Sequence, residues 1–261
     1  MAEPTVHVDV DDRGELGCVV WITVDHTAKL NIVNTFLIEE LRAAIEGFHD
    51  DKALRVMILT GAGNRAFIGG VDIKEMMGFD PASAGAFITR LHGVCAAIRS
   101  LPVPVIARIS GYCLGGGLEV AAACDLRAAS EDSTFGMPEV NVGIPSVIEA
   151  ALLPRLVGWG KAREIIYTHR SVSAAEALSC GLVERVVARE ELDRAVEEWV
   201  EAIINAGALA IRLQKALIRH WETLPVDRAI EKGIQIFGQA YQSDEPRTLM
   251  KRFIERKGDE K

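Results

Sequence analysis

Two short runs constrain the fold most. RVMILTG at 55–61 and VPVIARI at 103–109 are apolar almost throughout and bounded by turn or polar residues. A strand with one wet face alternates. A run without alternation is a strand buried on both sides, and a sheet covered on both sides needs helices packed against it.

Helical patterns lie between and before these runs. Asn34 is placed to cap a helix whose apolar stripe is Leu37, Leu41, Ala44, Ile45 and Phe48, with Glu39, Glu40, Arg42 and Glu46 on the wet side. A second helix is predicted over about 82–100, with Phe87, Leu91, Val94 and Ile98 on one face. At the start, Val6, Val8 and Val10 alternate with polar residues and GCVVWITV follows, which predicts an opening pair of strands. The first half therefore reads as α/β with a parallel or mixed sheet. From about 149 the pattern turns helical, apart from a short VERVV strand at 183–187. The final stretch reads as helices broken at Ala206-Gly207, Pro225 and Pro246. Two regions are expected: a core over 1–195 and a helical region over 196–261.

Bulk properties narrow the function. A formal net charge of -8 argues against nucleic acid as the main partner. No run approaches the roughly 20 apolar residues of a membrane span. The opening MAEPTVHVDVDD lacks the apolar core of a signal peptide. Cysteines 18, 95, 113, 124 and 180 form no C-x-x-C pair, which predicts reduced thiols in a cytoplasmic protein. The six histidines show no ligand spacing, so no metal site is expected.

The chemistry concentrates at two glycine-containing turns, RAFIGGVDIKEM (65–76) and GYCLGGGLE (111–119). Glycine lets the backbone approach a ligand, and the first turn of a following helix leaves N–H groups unpaired. Two such turns side by side can aim two donors at one oxygen, an oxyanion hole. Read singly, each is a tight turn and no more. Neither is a dinucleotide fingerprint or a P-loop, since GGG lacks the required spacing and no G-K-[ST] follows.

Glu119 is the one charge between Gly111 and Cys124, ahead of a run of small apolar residues. A carboxylate buried there must find donors or take up a proton. Glu139, in STFGMPEVNVGIPS, is also flanked by apolar residues. Separately, Glu119 reads as a residue favoured by a helix dipole and Glu139 as a surface turn residue. Together, beside an oxyanion hole, they read as a pair for acid–base work on one water. Asp125 is expected to cap or to pair with an arginine, and His92 to be partly buried structure. Arg163, Arg185, Arg189 and Arg194 are expected on a solvated helical surface.

RAFIGGVDIKEM, GYCLGGGLEVAAACDLRAAS and FGMPEVNVGIP, in that order, resemble the enoyl-CoA hydratase/isomerase (crotonase) family. AKLNIVNTFLIEEL and SAAEALSCGLVERVV fit as well, and the resemblance runs from about residue 5 to 255. It implies a crotonase-like spiral of ββα repeats with a helical C-terminal region used for trimer assembly. It puts the oxyanion N–H donors on Val71 and Gly116 and the two hydratase glutamates on Glu119 and Glu139. Lys29, Val71, Asp72, Ile73, Lys74 and Gly116 fall where the family contacts acyl-CoA. The activity implied is hydration of a 2-enoyl-CoA, with coenzyme A carried by the substrate, no other cofactor, and a trimer or dimer of trimers. Another reaction of the family on an acyl-CoA, or a non-catalytic CoA-binding homologue, is the alternative. One departure bears on the acyl group. IPSVIEAALLPRLVG stands where the family has a glycine-rich wall. Val147 and Ile148 are expected to narrow the acyl pocket toward short or branched chains, and Glu149 to face solvent.

Overall fold

The structure, a computed structural model, describes residues 3–259; the ends of the two expected regions, 1–2 and 260–261, lie outside the described residues. Thr5–Asp12 (β1) and Cys18–Asp25 (β2) pair antiparallel, with Thr5 opposite Asp25 and Asp12 opposite Cys18. The alternation in β1 is only partly a buried face. Val6 packs on the core, but Val8 and Val10 are exposed, because β1 is the sheet's edge strand. Thr35–Glu46 (α1) starts where expected, and the Asn34 side chain accepts the Leu37 N–H at 3.0 Å. Leu54–Gly61 (β3) is buried at every position, as its unbroken apolar run requires.

The chain then repeats a pattern. Ala66–Ile68 (β4) is followed by Ile73–Met76 (α2) and Pro81–Ser100 (α3). Val105–Ile109 (β5) and Tyr112–Leu114 (β6) lead into Gly116–Ala123 (α4). Leu126–Ser130 (β7) and Thr134–Gly136 (β8) lead, through two 3₁₀ turns, into Leu153–Thr168 (α5). The remainder is Val172–Ser173 (β9), Ala174–Ser179 (α6), Arg185–Val187 (β10), Leu192–Ile204 (α7), Ala208–Thr223 (α8), Val226–Ala240 (α9) and Glu245–Asp259 (α10). Pro246 is the second residue of α10, so the break precedes it.

One sheet has the order β1-β2-β3-β5-β7-β10 and the other β4-β6-β8-β9. β3, β5 and β7 each place one strand in the first sheet. The strand that follows each of them joins the second, and a helix completes the turn. This is the expected spiral of ββα repeats. The second sheet has no counterpart in the sequence reading. Its strands are two or three residues long, too short to show a period.

Apolar residues pack on both faces of the large sheet. α1, α3 and α4 cover one side, and α7 covers the other against Val19, Val56, Ile58, Ile106 and Ala128. The expected boundary at 195/196 falls inside α7. Three cations then bind the helical end to the core. Lys215 Nζ, buried, donates to the carbonyls of Ile98 and Val103 and to Asp125 Oδ2 at 2.7–3.1 Å. Arg55 donates to the carbonyls of Ile203 and Ala206, and Arg212 to those of Asp51 and Leu54. Asp125 thus pairs with a lysine, not an arginine. Arg185 sits on β10, stacked on the Trp199 ring, and not on a helix. Among the described residues no helix is long and apolar enough to cross a membrane, and all five cysteines are free thiols.

Candidate active site

β4 and β6 are neighbouring parallel strands, with Ala66 opposite Tyr112 and Ile68 beside Cys113. The two glycine turns therefore leave the same end of the small sheet side by side. In the first turn, Val33 donates to the Gly70 carbonyl at 3.0 Å and accepts from the Asp72 N–H at 2.9 Å. That bridge skips the N–H of Val71, which has no protein acceptor among the described residues. In the second turn, the N–H groups of Leu118 and Glu119 both donate to the Gly115 carbonyl, at 2.8 and 3.0 Å. Gly116, first residue of α4, has an N–H with no acceptor among the described residues, as helix starts do.

The glycines here are steric necessities. Gly115 takes φ +53, and a Cβ on it would lie 2.4 Å from Glu139 Oε1. A Cβ on Gly117 would lie 2.2 Å from the Ile68 carbonyl oxygen. The close approach of α4 to β4 thus depends on position 117, and the seat of Glu139 on position 115.

A cavity of about 540 Å³ opens beside these turns. Val71, Ile73, Met77, Gly116, Glu139 and Ile144 are on its wall. Glu139 opens the 3₁₀ turn 139–142, and its Oε2 accepts the Ser146 hydroxyl at 2.9 Å. Burial raises its carboxyl above the usual range, against the pull of Ser146 and of the neighbouring backbone. Glu139 is thus half-buried in the site and not a surface turn residue.

Glu119 stands behind that wall, 4% exposed. Its Oε1 accepts the Ala150 N–H at 3.0 Å. Burial is the main force on its titration. The charges of Glu139 and Glu149 add to it, the Ala150 N–H opposes it, and the result is a carboxyl pushed up to about 8.

Of the other expected contacts, Ile73 is on the cavity wall, while Lys29, Asp72 and Lys74 are not. Asp72 caps α2 by accepting the Lys74 N–H at 2.9 Å, and Lys29 Nζ lies 3.4 Å from its other oxygen. Burial acts upward on Asp72, but the Lys74 N–H and the Lys29 ammonium outweigh it and hold the carboxyl below its ordinary value.

The 144–153 segment departs from expectation. Only Ile144 reaches the cavity; Val147 is exposed and Ile148 packs against the core. The β-branched residues therefore do not narrow the pocket. Glu149 faces neither pocket nor solvent. It is buried, and both its oxygens lie 3.0–3.2 Å from His92 Nδ1. This pair, the Ser146 hydroxyl on Glu139 and the Ala150 N–H on Glu119 escaped the sequence reading. The signal that could have found the pair was a charged residue inside an otherwise apolar segment. Among the described residues no cluster of three His, Cys, Asp or Glu side chains is placed to hold a metal ion.

The chain is similar to known proteins along almost its whole length. The profile of the Enoyl-CoA hydratase/isomerase family matches residues 15–260. A short-chain-enoyl-CoA hydratase of Clostridium acetobutylicum is 34% identical, over 92% of this chain and 93% of the relative. A crotonyl-CoA hydratase of Syntrophomonas wolfei is also 34% identical, over 90% of each. A crystal structure of enoyl-CoA hydratase from Bacillus anthracis superimposes with TM-score 0.90 at 33% identity, covering 95% of this chain and 96% of that one. The enoyl-CoA hydratase of Mycobacterium smegmatis gives 0.92 at 30% identity, covering 97% of each chain.

Proposed function

The chain belongs to the enoyl-CoA hydratase/isomerase family, and on that premise we propose that it adds water across the double bond of a 2-enoyl-CoA thioester to give a 3-hydroxyacyl-CoA. One observation carries this reading: two unpaired N–H groups, on Val71 and Gly116, and the carboxyl of Glu139 border the same cavity. The thioester oxygen would accept from both N–H groups, each such donor contributing roughly 3 kcal/mol in the transition state. Electron density leaves C2=C3 and collects on that oxygen as an enolate. Water adds its oxygen to C3 and gives a proton to Glu119, while Glu139 delivers a proton to C2. The pair must therefore hold one proton between them. An upward shift suits both roles, because it keeps the proton donor protonated closer to neutral pH and makes the ionised acceptor a stronger base.

Coenzyme A arrives with the substrate, and Lys29, Asp72 and Lys74, next in sequence or space to the wall residues Val71 and Ile73, are its proposed contacts. Short acyl groups are favoured, in keeping with the short-chain and crotonyl specificities named for the relatives. A trimer or dimer of trimers is the working assembly, and free thiols support a reducing, cytoplasmic setting.

Loss of the enoyl-thioester absorbance of crotonyl-CoA, with a 3-hydroxybutyryl-CoA product by mass, tests the activity. A second reading rests on Glu119 being off the cavity wall. Glu139 acting alone would shift a double bond without adding water, and a product of unchanged mass would establish that isomerase in place of the hydratase.

A further inference from the structure

The turn at 147–150 carries the donor that holds Glu119, and it is itself held by a pair of side chains outside the cavity. Glu149 is buried with its carboxylate on His92 Nδ1, at 3.0 and 3.2 Å. A carboxylate can only accept, so Nδ1 carries the hydrogen and donates it. His92 belongs to α3, fifty-seven residues away in sequence, and half of its ring reaches solvent. The next residue after Glu149 is Ala150, whose N–H lies on Glu119 Oε1. That N–H is shared with the Val147 carbonyl at 2.9 Å, so its direction follows the 147–150 turn and the Glu149–Ala150 peptide. Ile148, just before, takes φ +20, a value side chains rarely adopt, so the turn rests on contacts more than on its own preference.

We propose that His92 and Glu149 are positioning residues for Glu119. The pair pins the turn to α3, keeps the Ala150 N–H on Glu119, and sets a second carboxylate close to Glu119 but off the cavity wall. This inference rests on the hydratase reading above for its catalytic consequence, but not for the coupling itself. Glu139 and Glu149 face Glu119 from the two turns, Cys95 on α3 lies near both Glu119 and Glu149, and His92 on α3 meets Glu149 alone. Among the described residues Glu119 has no lysine or arginine partner to offset the repulsion. The charge on Glu149 makes Glu119 harder to ionise and a stronger proton acceptor once ionised. The cavity does not include either His92 or Glu149, so substrate binding should be indifferent to both.

Two measurements on the full-length protein test this. The first needs no turnover. The C=O stretch of protonated Glu119, identified by its loss in Glu119→Gln, is followed by infrared difference spectroscopy across pH. In Glu149→Gln, which keeps size and an acceptor for His92 but not the charge, its midpoint should fall by about half a pH unit or more. The second is hydration of crotonyl-CoA. Glu149→Ala should lower kcat at least about tenfold with KM within about twofold, and His92→Gln should keep more activity than His92→Phe. An unmoved infrared midpoint in a folded Glu149→Gln overturns the coupling. A kcat unchanged in Glu149→Ala, or a loss carried by KM, overturns the positioning role. If the wild type fails to hydrate crotonyl-CoA while the infrared midpoint moves, the coupling stands and the hydratase reading falls.

Discussion

The N–H of Ala150 reaches Oε1 of Glu119 across 3.0 Å, joining the turn before α5 to the first turn of α4. With the Val147 backbone it opposes the burial and the two neighbouring glutamates that push this carboxyl toward the neutral form. The expected behaviour of the site follows from that imbalance.

Glu119→Gln and Glu139→Gln should each lower kcat at least about 100-fold, the lower range for acid–base catalysis. Acyl-CoA affinity should persist in both, because the N–H groups of Val71 and Gly116 are untouched. Calorimetric titration with a saturated acyl-CoA and steady-state hydration assays give the two numbers. Turnover close to wild type in either variant would remove that glutamate from the mechanism.

The pH profile has a definite shape. Hydration needs one proton on the pair, so activity falls at low pH when both carboxyls are protonated and at high pH when both are ionised. The alkaline limb of kcat/KM should lie near 8, where Glu119 titrates. Stability carries the same signature. The ordinary value for Glu119 is 4.5 and its folded value about 8, so the folded state holds the extra proton between them. Its stabilising contribution is present in full below 4.5 and is lost as pH rises through 8. Glutamine does not titrate, so the Tm of Glu119→Gln should gain on the wild type steadily from about pH 5 to about pH 9. A constant difference would show that Glu119 is not protonated by burial.

Gly117→Ala should be severe, since its Cβ would collide with the Ile68 carbonyl at 2.2 Å. Gly116→Pro removes the N–H and should abolish turnover. Val71→Ala keeps its N–H and should change the rate only modestly. Far-UV circular dichroism beside the assay separates loss of fold from loss of chemistry. A collapse of activity in a folded Val71→Ala would mean that position 71 acts through its side chain.

α9 exposes Val226, Ile230, Ile234 and Phe237 at successive turns, each at 59–73%. Such an exposed apolar stripe marks a partner surface, and a second copy of this chain is the partner proposed here. Ile230→Glu combined with Ile234→Glu should shift the sedimenting species to lower mass. A fully active monomer at micromolar concentration in the wild type would refute assembly through α9.

Much of the site was legible because its chemistry sits in contiguous text. GYCLGGGLE and MPEV place a glycine turn, a helix start and two glutamates within about thirty residues, and each motif has a local physical meaning. β3 was equally plain, since eight buried positions leave an apolar word in the sequence. The small sheet was not, because strands of two or three residues carry no period. Nor was the role of Glu149. A lone charge in IPSVIEAALL reads as solvated until the partner on α3 is known, and no local pattern links residues 92 and 149. Lys215 was hidden for the same reason, its partners being two carbonyls and one carboxylate on distant segments.

Those distant segments bear on how the chain is made. Asp125 leaves the ribosome ninety residues ahead of Lys215, the cation that joins it. Arg55 waits still longer for the carbonyls of Ile203 and Ala206. A nascent chain that stops short of α8 lacks Lys215, the cation that joins Asp125 to the carbonyls of Ile98 and Val103. Lys215 is the buried ion of that pair, and a buried ammonium without acceptors is expensive, so α8 docks only where the Ile98 and Val103 carbonyls and Asp125 are already in place to receive it. Although its ββα repeats are local, the seam between them and the helical region therefore waits for α8.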